Sequence, residues 1–188
     1  IKYFLLHYCM ETNTLRFILL GDTHTGKTTF FYKFKNDYNE PLTPTIGVDV
    51  HTYKHKIYNY NSKIILWDTS GEERFRSIVD SYIPNNCGYI LFFDLHNNES
   101  FLSLENWIQL IQNRNKCSHK HPIFLLGNKK DTMQKVNNND IGDLVEKYQL
   151  IYITTSCKES DSHVIMDAII NEIFVRFIGT GAKCYGIH

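Results

Sequence analysis

The octapeptide Gly21-Asp22-Thr23-His24-Thr25-Gly26-Lys27-Thr28 fits the pattern G-x-x-x-x-G-K-[ST], and it stands between the apolar run of residues 15–20 and a helix-compatible stretch. That order calls for a strand, a tight turn and a helix start in succession. Glycines let the backbone curl until several N–H groups face one anion, and the helix start adds the positive end of its dipole. In such a loop Lys27 reaches the outer phosphates of a nucleotide, and the Thr28 hydroxyl ligates Mg²⁺. A glycine-containing turn can match the pattern by accident, so the reading depends on the motifs farther along the chain.

With 188 residues and 43% hydrophobic content, the chain has the length of one ordinary domain with a full core. Its formal net charge is zero, which leaves no electrostatic footprint for nucleic acid or an anionic membrane, so phosphate recognition must be local. No nucleic-acid partner is expected. The five cysteines, Cys9, Cys87, Cys117, Cys157 and Cys184, are widely spaced and include no C-x-x-C pair. That argues against a disulfide framework or a zinc site and for a reducing compartment. The histidines form no metal-ligand pattern: His51 and His55 lie among Tyr and Lys on an expected strand, and His119 and His121 flank Lys120 in an expected loop.

No apolar run reaches the about eighteen residues of a membrane span. Residues 3–10 are apolar but short, with no small-residue cleavage site, so a signal peptide is not expected. We read residues 1–14 as an N-terminal extension, part of which can be flanking sequence because Met10 is a candidate start. Residues 15–178 form the domain and 179–188 a short tail.

Apolar runs ending in polar residues alternate with helical patterns, the signature of an α/β fold with a mainly parallel sheet. Residues 15–20, 88–94 and 122–127 are nearly continuous apolar runs, as strands buried on both faces require. Residues 48–58 and 63–67 flank Asn59-Tyr60-Asn61-Ser62 and read as a hairpin, with Lys54 and Lys56 suited to an exposed edge. Helices are expected over residues 26–34, 73–81, 100–115, 140–148 and 162–177. In the second of these Phe75, Ile78, Val79 and Tyr82 follow an i, i+3, i+4, i+7 stripe. Asn137-Asn138-Asn139 reads as a surface loop.

Strand ends should deliver ligands to one crevice at the carboxyl edge of the sheet. Trp67-Asp68-Thr69-Ser70-Gly71 ends a strand with an aspartate suited to hold Mg²⁺ through water, then a glycine whose N–H can approach a γ-phosphate. Asn128-Lys129-Lys130-Asp131 follows another strand. Guanine offers donors at N1 and N2 that one carboxylate, Asp131, can accept together, whereas adenine has an acceptor at N1 and no amino group at C2. Lys129 can lie along the base and Asn128 can tie this loop to the phosphate loop. Thr155-Ser156-Cys157-Lys158 can supply a backbone N–H to guanine O6 and a second lysine stem.

Taken together, these residues resemble the Ras-like small GTPases, and within them the Rab family, over residues 15–177. Pro44-Thr45-Ile46-Gly47-Val48-Asp49 resembles the Rab form of switch I, and Trp67-Asp68-Thr69-Ser70-Gly71-Glu72-Glu73-Arg74-Phe75-Arg76-Ser77 its switch II. The resemblance implies a P-loop NTPase fold of the Ras-like G-domain type: a six-stranded, mainly parallel sheet with one antiparallel edge strand, flanked by five helices. It also implies GTP or GDP with Mg²⁺, the phosphates lying along residues Thr23 to Thr29. Thr45 would coordinate Mg²⁺ and the γ-phosphate, Tyr38 would pack on the guanine, and Gly71 would be the switch II hinge.

The expected partners are an exchange factor, an activating protein and effectors that read Ile46, Val50, Trp67, Phe75 and Tyr82. A monomeric switch in vesicle traffic, at the cytosolic face of endomembranes, is what the resemblance implies. Val50 stands where the family usually has Phe, which weakens the effector inference.

Glu72 occupies the place of the glutamine that orients the attacking water. An ionised glutamate only accepts hydrogen bonds and brings negative charge towards the γ-phosphate, so slow intrinsic hydrolysis is expected unless the side chain turns to solvent. His24 replaces a small residue and can either add charge near the phosphates or face solvent. Thr23 resembles the Ser or Thr common there. Cys157 replaces a usual alanine, tolerable because the base contact is made by backbone. Cys184 has four residues after it, one too many for C-a-a-X, so either the tail is trimmed or prenylation is not of the usual kind. Membrane attachment is expected only through a lipidated tail not evident here. Two rival readings remain: a GTP-held binding module with little hydrolysis, and a P-loop phosphotransferase for another nucleotide, which the stretch from Asn128 to Asp131 disfavours.

Overall fold

Strands that lie between two layers of helices must present apolar side chains on both faces, and that is how the central runs of this chain are used. The structure, a computed structural model, describes residues 14–39, 42–57, 60–72, 87–114 and 122–173. In chain order these form β1 (Thr14–Leu20), α1 (Lys27–Phe34), β2 (Val48–Ile57), β3 (Tyr60–Thr69), β4 (Gly88–Asp94) and α2 (Asn98–Leu102). They continue with α3 (Leu104–Arg114), β5 (Ile123–Asn128), α4 (Asn138–Tyr148), β6 (Ile151–Thr154) and α5 (Ser162–Ile173). The sheet has six strands in the order β2-β3-β1-β4-β5-β6. Among the described strands, only the β2–β3 pair at one edge is antiparallel.

Successive residues of a strand point to opposite faces, and β1 divides accordingly. Phe17 and Leu19 join a core closed by Phe30, Phe31 and Phe34 of α1 and by Ile165, Met166 and Ile169 of α5. Ile18 and Leu20 join the opposite core, closed by Trp107, Ile108 and Ile111 of α3 and by Ile141 and Leu144 of α4. Chain order reverses at β1, whose neighbours are β3 and β4. The carboxyl ends of the parallel strands therefore open onto a crevice at the switch point.

Local chemistry moves several element boundaries. The helix expected over residues 100–115 is two helices, α2 and α3, broken at Ser103. Asn97 caps α2 by accepting from the Glu99 N–H, and the Ser103 hydroxyl donates to the Ser100 carbonyl at 3.1 Å, competing with a continuous helical ladder. The asparagine run is a helix start and not a loop: the Asn137 side chain accepts from the Asn139 N–H, so α4 begins at Asn138. In the hairpin Ile57 pairs with Tyr60, which brings residues expected in the turn into β3. The expected helix over residues 73–81, including Phe75, with Tyr82 beyond it, lies outside the described residues, as do residues 1–13 of the N-terminal extension and the tail, whereas Thr14, expected in the extension, begins β1 by pairing with Lys63.

His51 of β2 is half-buried and turns its ring edge-on to Phe31 and Phe34, at 6.4 and 6.5 Å between centroids. Burial first, then the positive charge of Lys35, holds its pKa below the ordinary histidine value, against the pull of Asp49. The native state thus prefers the neutral ring, and the unfolded chain binds more protons between that lowered pKa and about 6.5. Stability from this group is fully present above the window and is lost as pH falls through it. We predict that the urea midpoint drops between about pH 7.5 and about pH 5.5, and that His51→Leu lessens the drop. Equal drops in both proteins contradict this.

Candidate nucleotide-binding cleft

The turn from β1 into α1 is held by close backbone approaches that only glycine permits. Gly21 and Gly26 have φ of 129° and 102°. A Cβ on Gly21 would lie 2.3 Å from the Phe92 carbonyl oxygen, and one on Gly26 would lie 2.0 Å from Asn128 Nδ2. Between them His24 takes a left-handed conformation at φ 60°, which costs a non-glycine residue about 1–2 kcal/mol. The Thr25 hydroxyl donates to the Asp22 carbonyl at 2.8 Å. Lys27 Nζ donates to the Gly21 carbonyl at 2.8 Å and the Asp22 carbonyl at 2.6 Å. An ammonium carries three N–H donors, so one is left for an anion in the cleft that Lys27 lines. Burial pushes the Lys27 pKa down to about 8, against the attraction of Asp68 and Asp22.

At the start of α1, three oxygens converge. Thr28 Oγ1 and Thr45 Oγ1 each donate to Asp68 Oδ2 at 2.8 Å and stand 2.9 Å apart. Asp68 is fully buried, and burial raises its pKa while the hydrogen bonds from Thr45 and Thr28 and the charge of Lys27 lower it. Its other oxygen, Oδ1, is buried without a hydrogen-bond partner among the described residues. Two hydroxyls and a carboxylate with an oxygen to spare are a hard donor set, and they fit Mg²⁺.

At the far end, Asn128 uses both ends of its amide: Nδ2 donates to the Thr25 carbonyl and Oδ1 accepts from the Cys157 N–H, each at 2.8 Å. Asp131 Oδ1 accepts from the Ser156 hydroxyl at 2.6 Å, and this bond is the main reason the carboxyl titrates below its usual range. Lys129, at φ 64°, pairs with Asp94 Oδ2 at 2.7 Å. Lys33 donates to the Lys158 carbonyl and lies 5.3 Å from the centre of the Tyr38 ring. Burial pushes the Cys157 thiol up to about 12, so it packs as a small neutral side chain.

These ends face one cleft of about 630 Å³. Of the residues expected from the sequence, Thr23, His24, Gly26, Lys27, Thr28, Thr29, Tyr38, Thr45, Gly71, Glu72, Asn128, Lys129, Asp131, Cys157 and Lys158 line it. Thr25, Asp68 and Ser156 lie behind, bonded to lining residues or loops. Gly71 rests against the phosphate loop, where a Cβ would stand 2.4 Å from Thr23 N.

The sequence matches the Ras family over residues 16–175. The chain is a Rab-like member of the Ras family of small GTPases. It is 35% identical over 158 residues to the Ras-related protein Rab-27B of Bos taurus, covering 76% of this chain and 71% of the relative. It is 34% identical over 167 residues to the Ras-related protein Rab-27A of Mus musculus, covering 80% of this chain and 75% of the relative. Members of this family are GTP hydrolases that bind GTP or GDP with Mg²⁺. Among the described residues of this Rab-like chain, no helix is long and apolar enough to cross a membrane.

Several residues at the cleft of this small GTPase, Thr69 among them, receive no role from the sequence. Leu42, Thr43 and Pro44 form one wall between Tyr38 and Thr45, Asp94 holds Lys129, and Ser70 accepts from the Glu72 N–H at 3.4 Å. Asp94 carried a signal, since it ends an apolar strand as Asp68 nearly does. Removing the Asn128 amide leaves the Thr25 carbonyl and the Cys157 N–H without their partner. We expect Asn128→Ala to cost about 2–4 kcal/mol in denaturant unfolding of the ligand-free Rab-like protein. Exposed Val164→Ala should stay within about 0.5 kcal/mol. Similar small effects contradict the assignment.

Proposed function

We propose that this cleft binds GTP and GDP with Mg²⁺, that GTP is hydrolysed slowly, and that the chain acts as a switch in intracellular vesicle traffic. The carrying observation is the pairing, in one cleft, of the Thr28, Thr45, Asp68 and Lys27 corner with the Asn128, Lys129 and Asp131 corner.

Asp131 accepts from guanine N1–H and the 2-amino group, with Ser156 fixing its orientation. Lys129, held by Asp94, and Lys158 flank the base, opposite Tyr38. The N–H groups of Thr23 to Thr29 and the remaining N–H of Lys27 bind the phosphates. Thr28 and Thr45, with Asp68 behind them, would hold Mg²⁺, which would supply positive charge beside the phosphates. Gly71 donates its N–H to the γ-phosphate, so loss of that phosphate frees the segments carrying Thr45 and Gly71.

Glu72 lines the same cleft beside Gly71, and a carboxylate, unlike an amide, has no N–H to donate to the transition state. Intrinsic rates in this fold are on the order of 10⁻⁴ s⁻¹, and here they are lower. An activating protein that brings its own arginine and glutamine restores turnover, and an exchange factor expels GDP. Effectors dock on Ile46, Val50 and Trp67, with Phe75 and Tyr82. Ile46 is 86% exposed and Val50 48%, and Val50 pairs with Trp67 across the hairpin, which supports that face. The protein works as a monomer, at the cytosolic face of endomembranes when its tail is lipidated. Glu72 also favours a second reading, a GTP-held module that recruits effectors with little hydrolysis.

The test is single-turnover hydrolysis of preloaded GTP with Mg²⁺. Glu72→Gln should be at least about 10-fold faster than wild type. Equal, measurable rates reject the role given to Glu72. Silence in both, with GTP retained, favours the module.

A further inference from the structure

A core residue on the other side of the sheet fixes the side chain of Asp22, in the loop between Gly21 and Gly26. Trp107 of α3, fully buried, donates its indole N–H to Asp22 Oδ1 at 2.8 Å. The Asp22 carbonyl in turn accepts from Lys27 Nζ at 2.6 Å and from the Thr25 hydroxyl at 2.8 Å. The same peptide also carries the approach of Gly71, where a Cβ would stand 2.4 Å from the Asp22 carbonyl carbon. One residue thus meets the lysine that faces the phosphates, the glycine that faces the γ-phosphate, and a helix of the opposite layer.

We propose that Trp107 is a positioning residue for the phosphate loop, acting through Asp22 on Lys27 and Gly71. Its ring is locked by the core around Ile18, Leu20, Leu91 and Ile108, so its N–H is a fixed point. Holding the Asp22 side chain fixes the tilt of the peptide whose carbonyl anchors Lys27. That anchoring aims the remaining Lys27 N–H at the anion. A burial role alone needs no indole nitrogen, since Phe would fill the same layer.

This inference rests on the proposed binding of guanine nucleotides in the cleft. The experiment uses the full chain loaded with a fluorescent GDP, comparing wild type, Trp107→Phe, Asp22→Ala and the double variant. Asp22→Ala leaves the core intact and so reports on the link even if Trp107→Phe folds poorly. We expect each single variant to release GDP about 10-fold faster, as for loss of a hydrogen bond to a charged group, and the double variant to release it no faster than either. Single-turnover hydrolysis of bound GTP should slow in the same variants, a readout that core packing alone does not move. Off-rates unchanged in Asp22→Ala, or effects that multiply in the double variant, overturn the proposal. Failure of wild type to bind GDP overturns the proposed function as well, whereas binding by wild type with indifferent variants overturns this inference alone.

Discussion

Two hydrogen bonds from one side chain hold the site together. Asn128 donates to the carbonyl of Thr25 in the phosphate loop and accepts from the N–H of Cys157 in the loop after β6. An amide donates from its nitrogen and accepts at its oxygen without carrying charge. Asn128 is buried, so both bonds are made where water cannot replace them. The loops after β1, β5 and β6 are thereby fixed relative to each other. Gly26 is part of the same joint, because any side chain there would displace Asn128.

The sheet supplies the framework for that joint. Parallel β1, β4 and β5 end side by side, with Asp94 in register with Asn128, so acidic and amide side chains arrive at one edge from segments far apart in the chain. Burying Lys27 and Asp68 there is costly by itself: desolvation lowers the one pKa and raises the other. An anion for Lys27 and a cation for Asp68 would offset both penalties, which is the physical sense of a site whose polar groups are preorganised before the ligand arrives.

Much of this was legible in the chain because the chemistry sits at strand ends. The glycine-rich loop, Asp68 and the stretch from Asn128 to Asp131 each lie at the end of an apolar run, and a polar residue in that place is directed to the crevice. What escaped depends on pairing across the sheet or on local competition for backbone groups. The Asp94–Lys129 ion pair depends on the β4–β5 register, which no single segment encodes. Asn137 as a cap and Ser103 as a break are local, yet the same residue types also form loops and helix surfaces, so only the hydrogen bonds decide. The Ser156 hydroxyl on Asp131 joins two loops that the sequence treats separately.

The central claim is that these loops form a site for a guanine nucleotide with Mg²⁺, and calorimetric titration of the ligand-free chain with GDP and with ADP tests it most directly. A site that reads the base through Asp131 should favour GDP by at least about 10³-fold, because ADP offers an acceptor and no 2-amino group where that carboxylate needs two donors. Equal affinities, or preference for ADP, would contradict it.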